Sequence, residues 1–322
     1  MSAYLVTGGA GFVGSALVHE LVRRGEQVRV LDDFSTGRRA NLADVALQID
    51  LVEADVTDLA AVERAVRGVE IVLHQAALAS VGRSVEDPLG TSRVNATGTL
   101  TVLEAARRAG VRRVVYAASS SSYGETVALP KVESMSPRPM SPYAAAKLAG
   151  ELYASAYTHC YGLETVALRY FNVFGPRQDP ASDYAAVIPR FVTAYLRGEP
   201  PTVFGDGRQS RDFCYIDNVV AANLLACAAP GASGSVFNVA CGDAIDLLGV
   251  LDRLAEIFGR RIEPRMEPAR PGDVRHSRAS IDRAREVLGY EPRVRFEEGL
   301  RKTVEWYRAR AASAHPTECA RA

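Results

Sequence analysis

The sequence has little that would indicate a metal site, a membrane protein or a nucleic-acid partner. Its five cysteines are scattered without metal-ligand spacing, so we interpret them as reduced thiols. Its 38 basic residues balance 38 acidic ones, which leaves no net charge to attract nucleic acid. No apolar run approaches a bilayer span, and the first strand begins too early to follow a signal peptide. We expect a cytoplasmic protein without metal or membrane contact.

A glycine-rich turn follows the first apolar strand. Tyr4 to Val6 has the pattern of a short buried strand, and residues 14–25 have apolar positions at helical spacing. Between them, Gly8 and Gly11 leave room for the backbone to approach a pyrophosphate, and Gly14 lets the helix pack on the strand. The turn predicts a dinucleotide-binding site.

The second apolar strand, Val28 to Leu31, ends at Asp32. A carboxylate there can accept hydrogen bonds from the adenosine ribose and would repel a 2′-phosphate. Arg38 and Arg39 follow downstream and keep NADP open as an alternative. We expect NAD.

Strands and helices then alternate, which predicts a parallel sheet covered on both faces. Helices are predicted at about 59–68 and 95–110, and a run of four serines follows the strand at 114–116. We predict an α/β fold, a doubly wound parallel sheet of the Rossmann type with a smaller, irregular C-terminal substrate domain. The predicted boundaries are 1–171 plus about 212–243 for the first domain, and about 172–211 and 244–322 for the second.

Tyr143 and Lys147 are four residues apart on a predicted helix, so they share a face. A free tyrosine has a pKa of about 10 and is a poor base at neutral pH. A neighbouring ammonium would lower that pKa. With the glycine turn, the pair predicts a site that moves a proton and a hydride.

These motifs, with the serine run at Ser119 and the segment 169–172, resemble the extended short-chain dehydrogenase/reductase family, especially its nucleotide-sugar epimerases and dehydratases. The resemblance extends to about Trp306. It implies that Tyr143 deprotonates a sugar hydroxyl and that Lys147 holds the phenolate and the nicotinamide ribose. It also implies that Ser119, or alternatively Ser121, hydrogen-bonds the sugar hydroxyl. The implied cofactor-binding residues are Gly8, Gly11, Phe12, Val13, Gly14, Asp32, Asp55, Val56, Ala76, Ala77, Asn95, Tyr143, Lys147 and Tyr170.

The serine run discriminates among the family's reactions. Dehydratases have an aspartate and a glutamate where this chain has Ser120 and Ser121. Serine cannot supply the carboxyl acid and carboxylate base that removal of water requires. The glutamate of the related decarboxylases is missing too, as is the cysteine and histidine pair of reductive epimerases. The resemblance therefore favours UDP-hexose 4-epimerisation, in which NAD stays bound and is not consumed.

The resemblance also implies a UDP-sugar site. Asn172, Arg211 and Arg270 would bind the diphosphate and Asp273 the uridine ribose. Strict UDP-galactose epimerases have a tyrosine where this chain has Ser277 and an asparagine where it has Ala186, so the sugar pocket is expected to accept an N-acetylated hexose. The implied substrate-binding residues are Arg83, Ser121, Asn172, Ala186, Val187, Arg211, Arg270, Asp273 and Ser277.

Two alternatives stay open at this point. A larger pocket would also admit a uronic acid, with Arg83 or Arg190 near its carboxylate. Glucuronate epimerases have a threonine at the position of Asn172 and an arginine at that of Asp179, which weighs against this hypothesis. The other alternative is a noncatalytic NAD-binding regulator, although such relatives usually lose the tyrosine or the lysine. The resemblance further implies a homodimer formed through the helices that contain Asn95 and Tyr143.

Overall fold

A parallel sheet with helices on both faces forms the larger part of the fold. The computed structural model describes residues 3–126, 128–180, 186–269 and 274–314. The strands are β1 (Ala3–Thr7), β2 (Gln27–Asp32), β3 (Ile49–Glu53), β4 (Ile71–His74), β5 (Arg113–Ser119), β6 (Glu164–Tyr170), β7 (Val173–Phe174), β8 (Thr202–Phe204), β9 (Ser210–Arg211), β10 (Cys214–Tyr215), β11 (Ser235–Val239), β12 (Ile245–Asp246), β13 (Arg265–Glu267) and β14 (His276–Ser277). The helices are α1 (Phe12–Arg23), α2 (Leu59–Ala65), α3 (Val81–Glu86), α4 (Pro88–Ser92), α5 (Gly98–Arg108), α6 (Pro142–Tyr161), α7 (Val187–Arg197), α8 (Ile216–Ala228), α9 (Leu247–Phe258), α10 (Asp282–Leu288) and α11 (Phe296–Ala314).

The central sheet has the order β11-β6-β5-β4-β1-β2-β3, and all of its strand pairs are parallel. Successive side chains of a strand point to opposite faces. In β1, Leu5 packs into a core with α2, α5 and α6, whereas Val6 packs into a second core with α1 and α8. Both faces are therefore covered, and the predicted doubly wound Rossmann fold is confirmed.

The second region consists of shorter pieces. Its strands form the pairs β7-β10 and β8-β13 and the three-stranded sheet β12-β9-β14. Helices α7 and α9 pack against each other beside them. The predicted boundaries between the two domains stay a prediction.

The structure differs from the predicted elements at two places near the cofactor side. The helix predicted at about 95–110 begins with a π-helical turn, Arg93–Thr97, which leads into α5. The serine run is a 3₁₀ turn, Ser120–Tyr123, directly after β5. Both are local backbone irregularities without a periodic side-chain pattern, and π turns of this kind are frequent at functional sites.

Two kinds of feature are absent from the described residues. None of the helices in these ranges is long and apolar enough to cross a membrane. No group of three or more histidine, cysteine, aspartate or glutamate side chains in the same part of the chain is placed to hold a metal ion.

Candidate active site

The glycine turn between β1 and α1 has no room for side chains. Gly8 has a φ of +66°, and a Cβ there would lie 2.7 Å from the backbone of Ala76. A Cβ on Gly14 would lie 2.0 Å from the carbonyl oxygen of Gly8. Only glycine therefore allows α1 to start this close to the end of β1.

The N-terminus of α1 is left open. Gly11 is its N-cap residue and provides no side-chain cap. Phe12 and Val13 form the first turn and are half-buried. Uncapped N–H groups and the positive end of the helix dipole attract phosphate. These residues fit the pyrophosphate of NAD.

Asp32 lies at the end of β2 and faces the glycine turn. Its carboxylate accepts hydrogen bonds from the N–H groups of Ala10, at 2.8 Å, and Phe34, at 2.8 Å. Burial raises the pKa of Asp32, and these two bonds oppose the shift. The contact of Asp32 with the adenosine ribose stays a prediction. The structure shows that Asp32 also holds the glycine turn in place.

The two arginines downstream of Asp32 are already paired with carboxylates. Arg38 forms an ion pair with Asp179, and Arg39 forms one with Glu53. A 2′-phosphate would have to compete with these partners for the guanidinium groups. The pairing favours NAD over NADP.

Other predicted cofactor contacts have protein partners of their own. Asp55 accepts hydrogen bonds from the N–H of Thr57, at 2.8 Å, and from Arg93, at 2.8 Å. Asn95 binds both backbone groups of Leu78, accepting from its N–H at 2.8 Å and donating to its oxygen at 3.1 Å. Asn95 therefore shapes the loop after β4. Two further candidates follow β3 and β4 by three residues each: Val56, which is buried, and Ala77, which is half-buried.

A buried histidine connects the glycine turn to α5. His74 bonds through Nδ1 to the Thr7 hydroxyl at 2.7 Å and through Nε2 to the Thr99 hydroxyl at 3.0 Å. The N–H of Ala76 donates to the same Thr7 oxygen at 3.3 Å. Burial, and next the charge of Lys147, lower the pKa of His74 to about 3. The imidazole is therefore neutral at physiological pH.

Tyr143 and Lys147 occupy the first two turns of α6, which Ser141 caps. Lys147 is 4% exposed, and its ammonium donates to the carbonyl oxygen of Ala117 at 2.9 Å. Burial lowers the pKa of Lys147 to about 7. Burial also raises the pKa of Tyr143, while a hydrogen bond with Ser119 opposes the shift. The expectation that Tyr143 has a lowered pKa is wrong for the net direction, because the effect of burial outweighs that of Ser119.

The serine turn brings two hydroxyls to the same place. Ser119 is the last residue of β5, and its oxygen accepts the N–H of Ser121 at 3.2 Å. The two side-chain oxygens are 2.7 Å apart. Ser119, and not Ser121, opposes the raised pKa of Tyr143, which favours Ser119 as the partner of the base.

Tyr170 ends β6 beside Ser119 in the sheet register. Its hydroxyl lies 3.1 Å from the side-chain oxygen of Gln75 and accepts a hydrogen bond from Asn223 at 2.8 Å. These bonds hold the ring at the carboxyl edge of the sheet, where ligands of such folds bind.

A cavity of about 260 Å³ in the second region gathers four of the predicted substrate-binding residues. Asn172 has a φ of +32° and donates to the backbone oxygen of Asp212 at 3.0 Å. Arg211 donates to the backbone oxygens of Ser210, at 3.0 Å, and Arg275, at 3.1 Å. The cavity is lined by Asn172, Val173, Phe174, Ala186, Val187, Ile188, Gln209, Arg211, Phe213 and Leu247.

The other predicted substrate residues are placed differently. Ser277 is buried and pairs with Arg211 between β14 and β9, next to the cavity wall. Arg83 is exposed on the short helix α3 and does not line the cavity. Arg270 and Asp273 lie outside the described residues.

Residues 4–240 match the family model described as the NAD dependent epimerase/dehydratase family. The chain belongs to this family. Its sequence is 43% identical to the UDP-glucose 4-epimerase of Mycolicibacterium smegmatis, over 94% of this chain and 98% of the relative.

Two solved structures are similar over nearly the whole epimerase/dehydratase chain. One is the UDP-N-acetylglucosamine 4-epimerase from Methanobrevibacter ruminantium M1 in complex with UDP-N-acetylmuramic acid, with a TM-score of 0.92, 38% identity, and coverage of 96% of this chain and 99% of that one. The other is the Thermus thermophilus UDP-glucose 4-epimerase in complex with NAD, with a TM-score of 0.87, 41% identity, and coverage of 95% and 99%. The family's NAD dependence agrees with the glycine turn described above.

Sequence reasoning missed one residue that organises the site of this epimerase/dehydratase chain. Asp212 is fully buried and accepts the N–H groups of Cys241, at 2.8 Å, Gly242, at 3.0 Å, and Ala279, at 3.1 Å. Burial raises its pKa to about 6 against these bonds. It fixes the neighbouring Arg211 relative to the segments that follow β11 and β14. The adjacent Arg211 and Asp212 give no sign in the sequence that the aspartate is buried, so this role could not be predicted.

Proposed function

We propose that this chain catalyses the NAD-dependent 4-epimerisation of a UDP-hexose through a transient 4-keto sugar. One observation carries the proposal: the side chain of Tyr143 interacts with that of Ser119, at the start of a turn whose side chains offer hydroxyls and no carboxylate. Oxidation and reduction at one carbon need a single base, whereas dehydration needs a carboxyl acid and base as well. The similar UDP-glucose and UDP-N-acetylglucosamine 4-epimerases support the same reaction.

Four side chains form the proposed catalytic wall, and they have distinct roles: Ser119, Ser121, Tyr143 and Lys147. The phenolate oxygen of Tyr143 accepts the proton of the sugar 4-hydroxyl. Ser119 holds that hydroxyl in position by a hydrogen bond. Lys147 stabilises the phenolate from the next turn of α6. Bound NAD supplies the hydride acceptor and afterwards the hydride donor. Once the 4-keto sugar has turned in the pocket, Tyr143 returns the proton to the oxygen of the epimerised carbon.

The substrate proposal rests on the cavity. Asn172 and Arg211 line it and suit a diphosphate, for which the guanidinium fork is well matched. Ala186 also lines it and Ser277 lies beside it, two small side chains that leave space for an N-acetyl group. The proposed UDP-sugar domain comprises about 172–211 and 244–322.

We also propose a cytoplasmic homodimer. Helices α3 and α4 pack against α6, and apolar side chains on these helices are exposed: Val85 by 66%, Leu89 by 82% and Leu152 by 61%. Exposed apolar patches often mark protein interfaces. Light scattering of the wild type and of Leu152→Arg tests the proposal, since the charge should yield monomers.

The reaction is tested by incubating the purified protein with UDP-glucose, UDP-N-acetylglucosamine or UDP-glucuronate and observing the 4-epimer by NMR. We expect epimers of the first two sugars and a transient of reduced cofactor during turnover. Epimerisation of UDP-glucuronate alone would support the uronate alternative. Neither epimer nor reduced cofactor with any sugar would contradict the proposal and support a noncatalytic regulator.

A further inference from the structure

Lysine is scarce in this chain, and two of its three lysines are buried. Of the 38 basic residues only three are lysines: Lys131, Lys147 and Lys302. Lys302 is an ordinary surface residue, paired with Glu298 at 2.8 Å. Lys147 belongs to the catalytic wall. Lys131 is only 2% exposed, although lysine is almost never fully buried unless it is paired.

The Lys131 ammonium has one hydrogen-bond acceptor within the described residues. It donates to the carbonyl oxygen of Gly124 at 3.0 Å and lies 5.7 Å from the centre of the Tyr123 ring. Burial, and next the nearby Arg211 guanidinium, lower the pKa of Lys131. The side chain is shielded from solvent, and its ammonium holds the Gly124 carbonyl group at the end of the serine turn.

The backbone of Lys131 is joined to the wall of the sugar pocket. Its N–H donates to the oxygen of Arg278 at 2.8 Å, and its oxygen accepts the N–H of Ser280 at 2.9 Å. These bonds form a bridge opposite Ala279. The preceding residue of that segment, Ser277, pairs with Arg211.

Asn238, on β11, links the serine turn to Lys131 and Ser280. Its side-chain oxygen accepts the Tyr123 hydroxyl at 2.7 Å. Its side-chain nitrogen donates to the backbone oxygens of Lys131 and Ser280, each at 3.1 Å. Tyr123 and Gly124, the last residue of the serine turn and its C-cap, are thus held by the group that holds residues 278–280.

We propose that Lys131 is a positioning residue that sets the serine turn relative to the strand carrying Ser277. The inference rests on the proposed epimerase function. The ammonium suits a single buried acceptor, whereas an arginine would bring five donors to the same space. The positions of the Ser119 and Ser121 hydroxyls thereby depend on the position of the strand beside the sugar pocket.

The test compares Lys131→Met and Tyr123→Phe with the matched surface control Lys302→Met, all as NAD-loaded protein. Single-turnover reduction of the bound cofactor by a UDP-hexose reports hydride transfer, and calorimetry with UDP alone reports the state of the nucleotide pocket. We expect hydride transfer in Lys131→Met to fall by about 10- to 100-fold, as for a misplaced catalytic group. The affinity for UDP should stay within about twofold, and the double variant should lose much less than the product of the single losses.

Unchanged hydride transfer in Lys131→Met would overturn the proposal, as would an equal loss of hydride transfer and UDP affinity in both variants. Should Lys131→Met fail to fold, Tyr123→Phe decides, because it removes only the hydroxyl that reaches Asn238. Normal hydride transfer in that variant would contradict the positioning role. A wild type without hydride transfer would refute the epimerase function itself, so the two failures are distinguishable.

Discussion

Two proposed parts of the site are built in different ways: the catalytic wall, formed by Ser119, Ser121, Tyr143 and Lys147, and the nucleotide pocket around Asn172 and Arg211. The wall lies on long regular elements: β5 has seven residues and α6 has twenty. The pocket is assembled from strands of two residues, such as β7 and β9. Proton transfer needs groups held within a fraction of an ångström, which rigid elements provide. Recognition of a nucleotide tolerates short pieces fixed by individual hydrogen bonds.

The largest effect should come from the wall. Tyr143→Phe should lower turnover by about a hundredfold or more, because the only proposed base is lost. The cofactor should stay bound, since the glycine turn is untouched. Steady-state rates and the ratio of bound NAD to protein check this, and near-normal turnover would remove the mechanism.

A smaller, selective effect should come from the pocket. Ser277→Tyr should raise the barrier for UDP-N-acetylglucosamine by roughly 1 to 3 kcal/mol, the usual penalty of overpacking, and leave UDP-glucose nearly unaffected. Ratios of kcat/KM for the two sugars measure it. Equal losses on both would show that Ser277 does not determine the size of the sugar site.

Arg211→Lys keeps the charge of the pocket and removes its forked geometry. We expect KM for the UDP-sugar to rise by about tenfold with little change in kcat, because the bidentate contact contributes to binding rather than to proton transfer. Arg208→Lys is the matched control, since Arg208 is 68% exposed. A loss confined to kcat would place Arg211 in the chemistry instead.

The smallest expected effect is a shift in the pH dependence of kcat/KM. The Ser119 hydrogen bond lowers the pKa of Tyr143 against the effect of burial. Removing it in Ser119→Ala should raise that pKa, so less phenolate exists at a given pH and the acid limb of kcat/KM moves to higher pH. Ser121→Ala should shift the limb less. The opposite order would identify Ser121 as the partner of the base.

The same contrast explains what the sequence could predict. Gly8, Gly14, Tyr143 and Lys147 stand in local patterns whose geometry follows from one turn or one helix. The cavity could be expected only through resemblance, because Asn172 and Arg211 are far apart in sequence and lie on segments too short for periodicity. The pKa of Tyr143 could not be derived, since it depends on how deeply α6 packs.

The contacts of His74 determine the donor-to-acceptor direction of a series of hydrogen bonds. Thr99 donates its hydroxyl hydrogen to the oxygen of Asn95 at 2.7 Å, so it must accept from His74 Nε2. His74 Nδ1 therefore carries no hydrogen and accepts from Thr7, whose oxygen receives the Ala76 N–H. The four hydrogen bonds run in one direction, with each group donating to the next in the order Ala76, Thr7, His74, Thr99, Asn95. A proton added to Nδ1 of His74 would place an N–H donor opposite the Thr7 hydroxyl donor. With this tautomer His74 acts as neither acid nor base, and its hydrogen bonds beside the glycine turn persist across the physiological pH range.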